Sequence, residues 1–274
     1  MKFTDIAIVT DLDGTFFNSD GNLVKRNLDA VEYFKENGGL FAVATGRVPE
    51  MIGSELEPLM PTLANIPCIN CNGAFAYDFR EKRAYNEIFL NADRASELVK
   101  RVTAEFDDVS ARLSSKNGKY VLRPTEWTEK SDKIAGIMPV DEVPRCGWYR
   151  IAFDGPCESL DKAREMFEAE YANDFDFVKS CPEIYEFNDK TATKGTALGR
   201  LRELLISTGR ASDKLKIYAA GDYENDLAML RMANVPCCPS NAIDKVKEIC
   251  KLQVCKCDDG AIADIIENIE KSRG

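Results

Sequence analysis

Two aspartates at the end of the first apolar segment are the residues best suited to chemistry. Asp11 and Asp13 flank Leu12 and precede Gly14, and residues 6–9 before them have the β-branched composition of a buried parallel strand. Side chains two positions apart in an extended segment point the same way, so both carboxylates could act on one substrate atom or one cation. A plain Asp-Gly turn is the alternative interpretation.

Other predicted elements also end or begin in polar side chains. Buried strands are predicted near residues 40–44, 66–70 and 216–220, and a helix opens near residue 191. The residues at these positions are Thr45, Gly46, Arg47, Asn72, Gly73, Lys194, Asp222, Asn225 and Asp226, of which the two glycines offer backbone groups only. Each group also has a simpler interpretation as helix caps, a hairpin turn at Asn72-Gly73, or a solvated surface lysine.

The order of the predicted elements indicates the fold class. Strands alternate with helices in residues 1–84 and 191–274, with one helix near residues 28–36 and another beginning near Pro49. This alternation predicts a Rossmann-like parallel-sheet core of the α/β class, and residues 85–190 predict an inserted α+β domain. Ligands bind beyond the carboxyl ends of the strands in such sheets, so we expect the polar residues to meet at one edge.

Acidic side chains that gather at one sheet edge need a cation among them. The four aspartates at the strand ends would repel one another strongly if all were ionised. A site of carboxylate oxygens with few protein ligands suits Mg²⁺. Thr45 and Lys194 would then face an anion beside this cation, and a phosphoryl group fits both residues.

The composition disfavours several classes of partner. Among 274 residues, 46 acidic and 36 basic side chains give a formal charge of -10, which repels nucleic acids and anionic membranes. No apolar run is long enough to span a bilayer, and the first residues lack the apolar region of a secretory signal. We therefore expect a cytoplasmic protein without nucleic acid or membrane partners.

The absence of histidine excludes several kinds of catalytic site. With no histidine in the chain, Ser-His-Asp and Cys-His machinery and H-E-x-x-H zinc sites are ruled out. The ten cysteines include the spacings Cys68-x-x-Cys71 and Cys255-x-Cys257, but these lie in apolar, strand-like places and are expected to be reduced core thiols. Catalysis must use carboxylates, lysine, hydroxyls, thiols or a metal ion.

Four motifs in this order resemble those of the haloacid dehalogenase-like phosphohydrolases. They are Asp11-x-Asp13-Gly14-Thr15, Thr45-Gly46-Arg47, Lys194-Gly195, and Gly221-Asp222-x-x-Asn225-Asp226. The insertion between the second and third motifs resembles the large C2 cap of the Cof-type sugar-phosphate phosphatases. Asn72-Gly73 and Asp259-Gly260 are similar to further loops of that branch, whereas Phe16 and Phe17 stand where leucines are usual.

The resemblance implies a role for each aspartate. Asp11 would be the nucleophile that accepts the phosphoryl group as an aspartyl-phosphate. Asp13 would protonate the leaving alcohol and then activate water. Mg²⁺ would bind the carboxylates of Asp11 and Asp222 and the main-chain carbonyl of Asp13, with Asp226 nearby.

The resemblance also implies how substrate is held. Thr45 and Lys194 would neutralise the oxygens of the transferring phosphoryl group. The residues expected to bind phosphate or substrate are Leu12, Gly46, Arg47, Asn72, Gly73 and Asn225. The substrate would be a small phosphorylated metabolite, with sugar phosphates favoured, and the cap would close over its leaving group.

Two other functions use a similar set of residues. A phosphomutase would use the same acids but return the phosphoryl group to a sugar. A phospho-acceptor switch also combines an aspartate, acidic neighbours, threonine and lysine on an α/β sheet, but it needs neither Asp13 nor a cap.

Overall fold

The computed structural model describes residues 1–128 and 134–273, which divide into two compact units. The first, called the core unit, comprises Met1–Asn86 and Lys194–Gly274. The second, called the inserted unit, comprises Glu87–Thr193. Strands and helices are numbered along the whole chain. The sequence predicts boundaries after residues 84 and 190, and the structure divides the chain after residues 86 and 193.

The core unit is built on a parallel sheet of five strands, which confirms the predicted fold class. Its strands are β1 (Ile6–Thr10), β2 (Leu40–Val43), β12 (Lys216–Ala220), β13 (Val235–Pro239) and β14 (Leu252–Val254). They lie in the order β14-β13-β12-β1-β2. All five residues of β1 are buried, as its apolar composition predicts for a strand covered on both faces.

Helices cover this sheet with their apolar faces. They are α1 (Lys25–Glu36), α2 (Met60–Leu63), α5 (Lys194–Ser207), α6 (Leu227–Met232), α7 (Asp244–Lys247) and α8 (Ala261–Lys271). Val31 and Phe34 of α1 and Ile262, Ile265 and Ile269 of α8 are buried in the same hydrophobic core as the strands. The i, i+3, i+4 spacing of these side chains explains why both segments are helical.

The predicted third strand does not join the parallel sheet as a full member. β3 (Cys68–Asn70), β4 (Phe75–Asp78) and β5 (Arg83–Tyr85) form a separate antiparallel sheet, linked to the segment after β2 by a single bridge between Ala44 and Ile69. Asn72-Gly73 does lie in a hairpin, but the loop has four residues because Asn70 pairs with Phe75.

The helix expected to begin near Pro49 is also different in the structure. Only a short 3-10 turn, Pro49–Met51, forms there, and the next α-helix is the four-residue α2. The Thr45 hydroxyl accepts a hydrogen bond from the Arg47 N–H at 3.2 Å. The Thr45 side chain therefore stabilises a tight turn from Thr45 to Arg47 and does not cap a helix.

The inserted unit has its own antiparallel-rich sheet and its own core. Its strands are β6 (Ser110–Ser115), β7 (Gly118–Arg123), β8 (Ile134–Ile137), β9 (Trp148–Asp154), β10 (Phe175–Cys181) and β11 (Ile184–Asp189). Their order is β10-β11-β9-β6-β7-β8. The helices α3 (Ala92–Glu105) and α4 (Cys157–Tyr171) supply the remaining core side chains.

Asp176 on β10 gives the inserted unit a pH-dependent stability. Burial, and to a smaller extent the nearby charge of Glu168, raises the pKa of Asp176 to about 6. A folded-state pKa above the unfolded value means that stability is lost as pH rises from about 4 through 6. Asp176→Asn should therefore stabilise the protein by about 1 to 2 kcal/mol at pH 8, after allowance for solvent screening.

Urea unfolding of wild type and Asp176→Asn at pH 8 and pH 5 would test this expectation. The gain should be clearly smaller at pH 5, because Asp176 is then mostly protonated in the folded protein. An equal gain at both pH values would mean that ionisation of Asp176 is not the cause.

Among the described residues, no helix is both long and apolar enough to cross a membrane.

Candidate active site

Three chain segments reach the carboxyl edge of the parallel sheet next to one another. Because β1 lies between β12 and β2, the residues after these strands are neighbours in space. The Asp11 N–H donates to the Ala220 carbonyl and the Ala44 N–H donates to the Thr10 carbonyl, both at 2.8 Å. These two bonds extend the strand register into the loops that carry Asp11, Thr45 and Asp222.

Lys194 joins two carboxylates at this edge. It is the first residue of α5, and its side chain is buried. Its ammonium Nζ lies 2.6 Å from Asp11 Oδ1 and 2.7 Å from Asp226 Oδ1. A positive charge at a helix N-terminus is unfavourable alone, and these two carboxylates are the anionic partners that offset it.

Asp226 is held in place by the backbone of its own loop. Its Oδ2 accepts hydrogen bonds from the N–H groups of Asp222 at 3.0 Å and Tyr223 at 3.2 Å. A Cβ added to Gly221 would lie 2.4 Å from Asp226 Cγ, so only glycine fits there. Both oxygens of the Asp226 carboxylate therefore have partners within the protein, Oδ1 with Lys194 and Oδ2 with these amides.

Asp222 completes an acidic cluster with Asp11 and Asp226. Within the described part of the chain this is the one group of three or more histidine, cysteine or acidic side chains that could hold a metal ion, and its ligand atoms lie within 4.8 Å of one another. The three carboxylates against the single ammonium of Lys194 leave two negative charges when all are ionised. A divalent cation would neutralise them, and the oxygen donors suit Mg²⁺.

The pKa values of the cluster show the electrostatic cost of this arrangement. Burial raises the pKa of Asp11 well above its ordinary value; Lys194 opposes this shift, and the negative charges of Asp226 and Asp222 add to it. Burial and then the charge of Asp226 raise the pKa of Asp222 to about 7. For Lys194, burial alone would lower the pKa, but Asp11 and Asp226 hold it above its ordinary value.

Thr15 takes part in the site although sequence analysis gives it no separate role. Its hydroxyl Oγ1 donates a hydrogen bond to Asp222 Oδ1 at 2.9 Å. Thr15 is completely buried, in the turn Leu12–Phe16 that follows Asp11. Its position in the first motif is the only sequence signal that could have indicated this contact.

Asp13 lies in surroundings very different from those of Asp11. Its side chain is 57% exposed, and its Oδ1 is 2.6 Å from Nη2 of Arg47. The Arg47 guanidinium also lies over the ring of Phe17, 5.9 Å from its centroid. Arg47, expected to bind phosphate or substrate, is therefore engaged with the second aspartate of the first motif in this structure.

The loop with Asn72 and Gly73 supports the loop with Thr45. The Asn72 N–H donates to the Thr45 carbonyl at 3.1 Å, and the Thr45 N–H donates to the Ile69 carbonyl at 2.8 Å. Arg200 of α5 donates to the Gly73 carbonyl at 2.7 Å. Thr45 and Asn72 are buried side by side as a result.

Three other predicted site residues lie in these loops. The Leu12 side chain is completely buried in the hydrophobic core, so only its backbone can reach a ligand. Gly46 lies between Thr45 and Arg47. The hydrogen bond from the Arg47 N–H to the Thr45 hydroxyl holds the backbone on both sides of Gly46. Asn225 lies in the short turn Glu224–Asp226, directly before Asp226 in the chain.

The cysteines form no disulfides, and the polar residues of the inserted unit pair within that unit. All ten cysteines are free thiols. In the inserted unit, Trp148 and Tyr185 belong to the hydrophobic core. Arg150 forms a buried ion pair with Glu186, and Arg145 pairs with acidic side chains on the surface.

Comparisons with known proteins support the resemblance to the family. A family model described as haloacid dehalogenase-like hydrolase matches residues 8–266. A phosphatase of Bacillus subtilis is 24% identical, with 96% of this chain and 99% of the relative aligned. Another B. subtilis relative, a 5-amino-6-(5-phospho-D-ribitylamino)uracil phosphatase, is 23% identical over 96% and 97% of the two chains.

The fold has solved counterparts. A sugar phosphatase of haloacid dehalogenase subclass IIB superposes with a TM-score of 0.80 at 17% identity, covering 96% of this chain and 98% of that structure. At this identity the comparison shows the shared fold.

Proposed function

Since the chain belongs to the haloacid dehalogenase-like hydrolase family, we propose that it is a Mg²⁺-dependent phosphatase that hydrolyses small phosphate monoesters through an aspartyl-phosphate on Asp11. The observation that carries this proposal is the buried contact of Lys194 with Asp11 and Asp226, with Asp222 beside them. This cluster combines a carboxylate nucleophile, a fixed positive charge and donors for a divalent cation.

The proposed cation ligands are the carboxylates of Asp11 and Asp222 and the main-chain carbonyl of Asp13. Bound Mg²⁺ would neutralise charge on the transferring phosphoryl group. The two oxygens of Asp226 are already bonded to Lys194 and to backbone amides. We therefore assign Asp226 the role of orienting Lys194 and the Asp222 loop.

Asp11 performs the first step in this proposal. One of its carboxylate oxygens forms a bond to phosphorus while the bond between phosphorus and the ester oxygen breaks. Lys194 orients the Asp11 carboxylate for this attack, because its ammonium contacts Asp11 Oδ1. The ammonium also offsets negative charge that develops on the phosphoryl oxygens.

Asp13 moves the protons. It donates a proton to the leaving alcohol in the first step. In the second step it removes a proton from the attacking water, whose oxygen bonds to phosphorus while the bond between phosphorus and the Asp11 oxygen breaks, releasing inorganic phosphate and the free carboxylate. Acid and base roles for two nearby carboxylates require unequal surroundings. Here Asp11 must be the ionised partner and Asp13 the protonated one. Burial alone opposes this, because it raises the pKa of Asp11, so the proposal relies on the positive charges of Lys194 and the bound cation beside Asp11.

The remaining predicted residues hold the phosphoryl group and substrate. We assign Thr45 and the backbone of Leu12 and Gly46 to the phosphoryl oxygens, since their loops lie at the same sheet edge as Asp11. Arg47, Asn72, Gly73 and Asn225 are assigned to substrate binding. The inserted unit, residues 85–190 in the sequence analysis, is proposed as a C2 cap.

The proposed substrate is a small phosphorylated metabolite. One relative is named for a phosphorylated ribitylaminouracil, and the solved structure cited above is a sugar phosphatase. Both substrates combine a phosphate ester with a polar leaving alcohol. Sugar phosphates are therefore the first class to test.

Phosphate release from a panel of phosphate monoesters, with Mg²⁺ and with chelator, is the direct test. We expect chelator to reduce release by at least about 100-fold and added Mg²⁺ to restore it, because the two uncompensated negative charges of the cluster would repel a phosphate. Release that persists in chelator would contradict the metal assignment. A stable adduct on Asp11 from acetyl phosphate, without ester hydrolysis, would favour a phospho-acceptor switch.

A further inference from the structure

The segment after β13 connects the two loops that carry the proposed cation ligands. The side-chain amide Nδ2 of Asn241 donates a hydrogen bond to the Gly14 carbonyl at 2.8 Å. Two residues later, the Ile243 N–H donates to the Asp222 carbonyl at 3.0 Å. Residues 241–243 thus contact the loop after β1 and the loop after β12 at once.

The Gly14 peptide leaves little space beside Asp222. Gly14 has a φ of 75°, and a Cβ added there would lie only 2.5 Å from Asp222 Oδ2. The neighbouring Thr15 hydroxyl holds the other oxygen of this carboxylate. A small displacement of the Gly14 peptide would therefore move the Asp222 carboxylate relative to Asp11.

The opposite end of the Asn241 side chain is anchored as well. Its Oδ1 accepts a hydrogen bond from the Cys257 N–H at 2.9 Å, at the start of the turn Cys257–Asp259 that precedes α8. One amide thus uses its donor on Gly14 and its acceptor on Cys257. Rotation of the side chain would break both bonds, so the amide has one favourable orientation.

We propose that Asn241 is a positioning residue for the acidic cluster. It fixes the Gly14 peptide against Asp222 and so sets the separation of the Asp11 and Asp222 carboxylates. In this role Asn241 acts through its bonds to Gly14 and Cys257, without contacting substrate or cation itself. The inference rests on the proposed function, which assigns a divalent cation to these two aspartates, and it adds a residue outside the four motifs. Groups that orient metal ligands typically change metal affinity 10- to 100-fold when they are removed.

Direct binding of Mn²⁺ to the full chain, without substrate, tests the proposal. Free Mn²⁺ would be measured by electron paramagnetic resonance in a titration of wild type, Asn241→Ala and Asn241→Ser. The serine hydroxyl can bond one backbone group but cannot span both. We expect both variants to bind Mn²⁺ at least about tenfold more weakly than wild type.

Asn65 provides a matched control. Its Oδ1 accepts from the Phe41 N–H at 2.7 Å and its Nδ2 donates to the Gly39 carbonyl at 2.9 Å, so it bridges two backbone groups as Asn241 does. These groups lie at the start of β2, the end of that strand away from Thr45. Asn65→Ala should lower the Tm while leaving Mn²⁺ affinity unchanged.

The outcomes separate this inference from the proposed function. Mn²⁺ affinity within twofold of wild type in a folded Asn241 variant would overturn the positioning role alone. Equal weakening in Asn65→Ala would also overturn it, because any loosening of the core would then have the same effect. If Asn241→Ala does not fold, the Mn²⁺ affinity of Asn241→Ser alone is compared with that of the wild type. A wild-type chain that binds no Mn²⁺ would overturn the cation assignment and this inference with it.

Discussion

Replacing Asp11 with asparagine is expected to lower kcat for phosphate release by at least about 10⁴-fold. An amide cannot form the aspartyl-phosphate, and no other carboxylate of the cluster is free to replace it, because Asp226 is bonded to Lys194 and backbone amides and Thr15 holds Asp222. The measurement is steady-state phosphate release with Mg²⁺ from the best substrate of the panel.

The same variant should retain its fold. Burial raises the pKa of Asp11, which means that the folded protein disfavours the ionised carboxylate. The neutral amide avoids this penalty, and its oxygen can still accept a bond from Lys194. We therefore expect the Tm of metal-free Asp11→Asn to equal or exceed that of the metal-free wild type.

Asp78 provides a control, because its replacement should lower stability without affecting catalysis. It is a buried aspartate of the core unit, and its Oδ1 accepts from the N–H groups of Arg80 and Glu81 while Oδ2 accepts from Arg210. Asp78→Asn should lower the Tm but leave the kcat of folded molecules unchanged. Full Mg²⁺-dependent turnover by Asp11→Asn would disprove the nucleophile assignment.

Replacing Lys194 with methionine should have the largest effect on stability. The substitution removes the only ammonium from a buried pair of carboxylates, since Nζ contacts both Asp11 and Asp226. Breaking a buried ion pair by removing one partner typically costs about 3 to 5 kcal/mol, because an uncompensated charge is left in the interior. We expect a loss of this size in the free energy of unfolding, measured with urea in the absence of metal.

Activity should fall together with stability in Lys194→Met. The loss of a positive charge beside the phosphoryl oxygens is expected to reduce kcat by about 10²- to 10³-fold, measured at a temperature where the variant is folded.

Lys245 is the control for the effect on stability. It pairs with Glu224 at 3.1 Å, but its side chain is 70% exposed. Lys245→Met should change the free energy of unfolding by less than about 1 kcal/mol. If Lys194→Met were as stable as Lys245→Met, Lys194 would not be neutralising buried charge in the folded protein.

Local sequence patterns are sufficient for much of the core unit. The predicted strands near residues 6–9, 40–44 and 216–220 are confirmed as Ile6–Thr10, Leu40–Val43 and Lys216–Ala220. Their short, continuous apolar composition identifies strands that are covered on both faces. Helix α1 is confirmed for a similar reason, because its apolar residues recur at helical spacing.

Distant contacts decide what local patterns leave open. The strand predicted near residues 66–70 is confirmed as Cys68–Asn70, but composition does not specify its partner, and it pairs with β4 in a separate sheet. Pro49 is compatible with the first turn of a helix, yet only a 3-10 turn forms there. Both outcomes depend on packing that short-range patterns do not contain.

The sequence by itself determined the fold class and the kinds of side chain at the carboxyl edge of the sheet. Residue type and position relative to a strand end are local properties, and parallel strands bring their carboxyl ends together. Only the tertiary structure decided the pairing: Lys194 with Asp11 and Asp226, Arg47 with Asp13, and Asn241 with Gly14 and Cys257. These partners are far apart in the chain, so each contact depends on how helices and loops pack after the sheet has formed.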